Sequence, residues 1–270
     1  GGLLAELLLY DRSPYGGALV KLDKNSNVVW VYGENVHHVF YISKTNGHIF
    51  ALTQNFVHSP PDGLEGLPYP MLADFVVELS AEGKEIRKIS LLDAFNRSPY
   101  RALLYKKWNK RYKHIWDHMH ANSVMLLEPE IADKFRQFKP GQLLISFRNL
   151  NTLAMLDMDE GKIAWALHGV WYGQHAVQFL NNGNLLMFDN KGLIYDDRAY
   201  SRILEIDPKD LGIVWEYSGS NRNRLFTDIH GHVQKLAGDN TLITDSSKGR
   251  VFEVTRAGKI VWDYRLPDYS

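Results

Sequence analysis

The chain of 270 residues contains no cysteine at all. Disulfide bridges, thiolate metal sites and cysteine nucleophiles are therefore excluded, while the redox compartment stays open. Net charge is missing too: 31 Lys plus Arg balance 31 Asp plus Glu. A general nucleic-acid binder needs a cationic surface, so that class is disfavoured and no nucleic-acid partner is expected. No apolar run reaches the length of a membrane-spanning helix. The Leu3 to Leu9 stretch lacks the basic lead and cleavage pattern of a signal peptide, so membrane association is expected only through an anchor upstream of this chain. What is abundant is aromatic side chain, 12% of the residues with seven Trp and fourteen Tyr, as suits an all-β protein.

A recurring hairpin organises the sequence. An apolar strand, a polar turn and a strand ending in Trp recur at Leu22-Asp23 to Trp30, Leu156-Asp157 to Trp165, Ile206-Asp207 to Trp215 and Val254-Thr255 to Trp262. A weaker copy, Val77 to Arg87, lacks the Trp. Between these hairpins lies a second pair of strands, each opened at or near a histidine: His38 to Phe50, His120 onward, His175 to Leu186 and His232 to Ile243. Asn-Gly and Gly-Asp-Asn turns suit such hairpins, since both residues tolerate positive φ. The return strand after His120, Gln142 to Phe147, comes only after an insertion. Four strands per repeat predict a β-propeller, with five repeats visible, the first incomplete. A sixth blade is expected from the termini or from outside this chain, within a single domain over residues 1–270. The hairpin Trp residues are expected to pack between blades.

Two segments interrupt the β pattern. Ser90 to His114 carries Leu91, Leu92, Phe95, Leu103, Leu104 and Trp108 at roughly helical spacing, and Pro129 to Phe138 reads as a short helix stopped by Pro140. The basic stretch Arg101 to Lys113 reads as a solvated helix face rather than a membrane contact.

Inner strands of a propeller start near one mouth of the axial channel, which would bring His120, His175 and His232 together. Arg148 and Arg202 follow on later strands, so an anion-binding, nitrogen-rich funnel is expected. Guanidinium groups clamp oxygens there, and imidazole serves as base or nucleophile. Asp117 and Asn122 flank His120 and could fix its tautomer. A single histidine on an inner strand is more often a packed residue, and His38, His48, His58, His114 and His168 take that reading. Arg202 and Arg148 could equally be structural ion-pair partners. Several imidazoles would also suit a metal, but the arginines and the lack of an obvious carboxylate ligand argue against one.

These residues carry a resemblance. Asp117-x-x-His120-x-Asn122-Ser123, Ser146-Phe147-Arg148-Asn149, Gln174-His175, Phe188-Asp189-Asn190, Ser201-Arg202 and Asp239 to Ile243 resemble the bacterial arylsulfotransferases that use no nucleotide sulfate donor. The similarity is specific from about Trp116 to Tyr264 and looser before. It implies a six-bladed propeller, no cofactor, and transfer of a sulfuryl group from an aryl sulfate donor to a phenolic acceptor through a sulfohistidine. It also implies a periplasmic or secreted protein. Carried over by motif, His120, His175 and Arg202 match the active site, and His232 is the expected nucleophile. His230, two residues away, would share its face on a strand. Arg148, Asn122, Asn190 and His230 are expected to bind substrate, and Trp171, Tyr172, Tyr200 and Phe226 could stack on aryl rings. The competing reading is a non-catalytic propeller that binds its partner through the insertions.

Overall fold

The computed structural model describes residues 2–8, 16–106, 116–190, 200–220 and 223–267. Trp108, Lys107, Lys110, Arg111 and His114, singled out in the sequence, lie outside the described residues. The chain forms two compact units, Gly1–Pro129 with Pro140–His168, and Glu130–Lys139 with Gly169–Ser270.

The first unit holds two antiparallel sheets. One runs in chain order through β1 (Gly2–Leu8), β2 (Gly16–Asp23), β3 (Val28–Ile42), β4 (Ile49–Val57), β5 (Met71–Leu79) and β6 (Glu85–Ser90). The other comprises β7 (Ala121–Leu126), β8 (Leu143–Phe147), β9 (Thr152–Asp157) and β10 (Lys162–His168). In the second unit, β11 (His175–Phe179), β12 (Leu185–Asp189), β13 (Arg202–Ile206) and β14 (Ile213–Tyr217) form one four-stranded sheet. A two-stranded ribbon, β15 (Gly219–Ser220) and β16 (Asn223–Arg224), follows it. The last sheet is β17 (His232–Lys235), β18 (Thr241–Asp245), β19 (Arg250–Val254) and β20 (Ile260–Arg265).

All five sequence hairpins are present, and four of their turns close alike. The backbone N–H of Asp23 donates to Asn27, Ser80 to Lys84, Asp207 to Gly212 and Thr255 to Lys259. The blade count differs from the expectation. Four sheets of blade type are present among the described residues rather than six, and the first has six strands. The reason lies in β3. Trp30 ends one sequence hairpin and His38 opens the next, yet both sit on this one strand of 15 residues. Only bulges at Gly17–Leu19 and His37–Phe40 mark the join. With no proline between Trp30 and His38 to interrupt the ladder, two repeats share a strand and fuse into one sheet.

Middle strands are buried on both faces: β8, β9, β12 and β13 expose no residue, whereas the edge strand β20 is exposed throughout. The edge is blunted by charge, because Arg250 reaches across to Asp263. Trp packing is mixed. Trp215 Nε1 donates to Arg256 O in the next sheet at 2.8 Å, as expected of blade-to-blade packing. Trp30 instead lies over the β5–β6 turn of its own sheet, where Gly83 has φ +79°. Trp262 is 48% exposed on the edge.

Among the described residues both insertions form only short helical turns. The first gives α1 (Leu91–Asn96), N-capped by Ser90 Oγ accepting from Asp93 N–H, then a 3₁₀ turn over Arg101–Tyr105. The second is a 3₁₀ turn over Pro129–Lys134. No described helix is long and apolar enough to cross a membrane.

A Cβ at Gly83 would fall on the Trp30 indole, whereas one at Gly33, inside β3, meets nothing within 4 Å. Gly83→Ala is therefore expected to cost more than about 1 kcal/mol, and Gly33→Ala to be neutral or stabilising. Urea midpoints of the two variants check this.

Candidate functional site

The expected site residues fall into two clusters, one in each unit. In the first unit, β7 begins at a left-handed bend: His120 has φ +53°, and a bulge follows between Ala121 and Ser123. The bend is stitched to the end of β8. Arg148 N–H donates to His120 O at 3.0 Å, Asn149 N–H donates to Met119 O, and Asn149 Nδ2 donates to Asp117 O at 2.8 Å. His120 Nδ1 lies 2.5 Å from Asp117 Oδ2. A carboxylate can only accept here, so Nδ1 carries the proton. Burial opposes ionisation of Asp117, but His120, helped by Arg148, outweighs it and holds the carboxyl below its usual range. Arg148 and Asn122 are buried, and Arg148 Nη1 donates to Asn149 Oδ1 at 3.0 Å.

Sequence reasoning missed part of this cluster. His37 is 1% exposed and its Nδ1 lies 2.7 Å from His38 Nδ1. The His38 ring meets His120 edge to face, with centroids 4.9 Å apart. Asp74 accepts from Ala121 N–H at 2.9 Å and stands 3.5 Å from His37 Nε2. Burial, then the charge on His120, pushes His37 down to about 3, while burial and Asp117 push Asp74 well up. His37 is therefore neutral near pH 7. Glu6, on β1, is raised to about 7 by burial, against the His38 backbone N–H that donates to it. The His37-His38 doublet was the available signal.

In the second unit the tautomer of His175 follows from its neighbour. Asn190 Nδ2 donates to the carbonyls of Thr227 at 2.9 Å and His230 at 2.5 Å. Its Oδ1 must then be the atom 2.7 Å from His175 Nδ1, and it accepts. His175 thus carries its proton on Nδ1. Asn190, expected to bind substrate, is committed to this orienting role.

Arg202 is held within its own sheet rather than between blades. Nε donates to Asp189 Oδ2 at 2.7 Å, Nη1 to Glu216 Oε2 at 3.1 Å and Nη2 to Val170 O at 2.9 Å. These contacts use three of its five N–H donors. Tyr172 N–H donates to the other Asp189 oxygen at 2.8 Å. Trp171 is buried, and Tyr200 lies against the Arg224 guanidinium. Ordinary loop packing describes both.

His232 and His230 are separated by register. His232 opens β17 opposite Thr244, the residue before Asp245, which faces Arg250. His175 stands opposite Phe188, the residue before Asp189, which faces Arg202. The two histidines hold equivalent positions in successive sheets. His230 precedes the strand, and Gly231 between them has φ +119°, so the alternation expected of a strand does not relate them. A Cβ at Gly231 would come within 2.7 Å of the Phe188 ring. His232 has an exposed surface, yet surrounding protein desolvates it enough to lower its pKa. Among the described residues no three His, Asp or Glu side chains gather as a metal-binding group.

Comparison with solved structures defines the class. A protein of unknown function from Bacteroides caccae is 10% identical with a TM-score of 0.60, over 98% of this chain and 78% of that one. A catalytically inactive virginiamycin B lyase from Staphylococcus aureus, solved with quinupristin, is 12% identical with a TM-score of 0.51, over 99% and 75%. The Dos1 propeller is 8% identical with a TM-score of 0.51, over 94% of this chain and 56% of that one. Likeness at such identities shows the fold alone: an all-β propeller type, here with four blade sheets. The sequence profile of the arylsulfotransferase (ASST) family matches residues 8–266, and the chain belongs to that family. A comparison with curated proteins finds no match.

Two outcomes test these assignments. Histidine ¹⁵N shifts should show neutral His175 protonated at Nδ1, and Asn190→Ala should remove that preference. Glu6 titrates higher in the folded chain than in the unfolded one, so its protonated form favours the native state. Stability should fall as pH rises from about 4.5 to about 7. Glu6→Gln should flatten that fall in urea denaturation.

Proposed function

We propose that this protein is a nucleotide-independent aryl-sulfate sulfotransferase. It would move a sulfuryl group from a phenolic sulfate ester to a phenol, with His232 as nucleophile. Family membership supplies the reaction class. The observation that carries the reading further is the preset tautomer of His120 and His175, each held at Nδ1 by a side chain that can only accept.

In the first half-reaction a His232 ring nitrogen attacks sulfur, the S–O bond to the aryl group breaks, and phenolate leaves with that electron pair. A lowered pKa suits this role, because the neutral imidazole is the form with a lone pair to give. His120 or His175, when protonated, returns a proton to the phenolate through Nε2. In the second half-reaction the same group takes the acceptor's proton, and the new phenolate attacks the sulfohistidine. The two remaining N–H groups of Arg202, and Arg148, are the candidate donors to the sulfuryl oxygens, where charge shifts during transfer. We extend the reading to small-molecule aryl sulfates and phenols as partners and to a protein working in the periplasm or outside the cell.

Purified protein, a chromogenic aryl sulfate and phenol, without nucleotide, test the proposal. Chromophore release should depend on phenol. His232→Asn should abolish it, and His120→Gln should lower it by roughly 10²–10⁴-fold, the usual scale of a lost acid–base group. Release that survives in His232→Asn would move the nucleophile to another side chain, and folded wild type inert toward a panel of donors would sink the enzyme reading.

A further inference from the structure

The first unit contains a histidine outside the family motifs whose geometry resembles that of His120. His38 opens the inner part of β3 as His120 precedes β7, and both occupy the left-handed region, at φ +65° and +53°. For a residue with a Cβ this conformation is uncommon and strained, and such residues concentrate where function needs a side chain aimed against the local ladder. Bulges follow both, at His37–Phe40 and Ala121–Ser123. The two bends bring the rings together, edge to face at 4.9 Å. Each ring is also held from behind through Nδ1, His38 by His37 Nδ1 at 2.7 Å and His120 by Asp117 at 2.5 Å.

We propose that His38 is a positioning residue of this site, forming with His120 a paired imidazole unit that holds and hands over a single proton. The pairing rests on geometry, and its part in turnover rests on the sulfuryl-transfer reading above. Two imidazoles at this separation resist carrying a proton each, because the second must be added against the charge of the first. The groups around the pair leave room for one. Asp117 is ionised and faces the Arg148 guanidinium. Burial keeps His37 neutral near pH 7 and pushes the Asp74 carboxyl well up, and Glu6, against the His38 backbone, is half-titrated there. The pair therefore accepts one proton from the acceptor phenol and returns one to the leaving phenolate. His38 keeps the His120 ring in the pose that does so and excludes a second proton.

The test compares wild type, His38→Ala and His38→Phe, with folding verified by circular dichroism. The Phe variant keeps a ring at the edge-to-face contact but cannot take a proton. In wild type the hydrogen-bonded Nδ1 proton of His120 should give a resolved downfield resonance. It should shift or broaden in His38→Ala. In transfer assays His38→Ala should lose tenfold or more in kcat with KM within twofold. His38→Phe should recover much of kcat while the acid limb of its pH–rate profile moves by about one pH unit. An unchanged resonance, or a pH profile that superimposes on wild type in both variants, overturns the proposal. If wild type transfers no sulfuryl group but the resonance moves in His38→Ala, the pairing is supported and the enzyme reading is the one that fails.

Discussion

The geometry of the candidate site depends on how the inner strands begin. A regular antiparallel ladder points successive side chains to opposite faces and offers no way to aim a whole residue along the sheet's end. Here the ladder is broken at that point in three of the four blade sheets by an extra residue and a left-handed bend, at His38, His120 and Ala176. The bend costs about 1–2 kcal/mol for a residue with a Cβ. Backbone bonds hold it, such as Arg148 N–H to His120 O and Asn149 N–H to Met119 O. The fourth sheet has no bulge between its first two strands, and the glycine before its inner strand, Gly231, takes positive φ without that cost. The left-handed position thus carries an imidazole at His38 and His120 and an alanine or glycine in the other two sheets.

A second layer of constraint is the orientation of rings by groups that can only accept. Asp117 at His120 and Asn190 at His175 do the same job with different charge. The amide is itself fixed, because both of its N–H groups are used on the carbonyls of Thr227 and His230. That geometry links the loop before β17 to the ring at the start of β11 inside one unit.

Much of the fold was legible in the sequence, because turn chemistry and period-two patterning are local. Each hairpin from Leu22–Trp30 to Val254–Trp262 lies where its turn residues and Trp put it. Blade count was not legible, since it depends on whether a ladder continues. From Trp30 to His38 only bulges intervene, and the repeat unit that looks like two in sequence is one sheet in space. The helix type was not legible either, because apolar spacing does not distinguish the short α1 from the 3₁₀ turns at Arg101–Tyr105 and Pro129–Lys134. His120, His175, Arg202 and His232 were singled out by motif. The groups around them were not all read, because Asp74 comes from a distant strand and Glu216 from the neighbouring one, and neither has a local signature. His38 was read as packing because a lone histidine usually is. Only its contact with His120 separates it from that expectation.

Arg202 shows why net charge alone would misjudge this site. Asp189, with no exposed surface, and Glu216 both bond it, so the guanidinium contributes little long-range attraction for a sulfate ester. What remains is direction. Held at Nε, Nη1 and Nη2, the planar fork cannot swing, and its other two N–H groups point along fixed lines. A clamp of that kind discriminates by oxygen placement more than by charge. The same logic applies in the first unit, where Arg148 offsets Asp117 and burial pushes His37 down and the Asp74 carboxyl up. A chain with no net charge can still serve an anionic substrate if its donors are preorganised, because the proposed transfer would reward bonds that tighten as charge moves onto the leaving oxygen rather than bonds that merely hold the substrate.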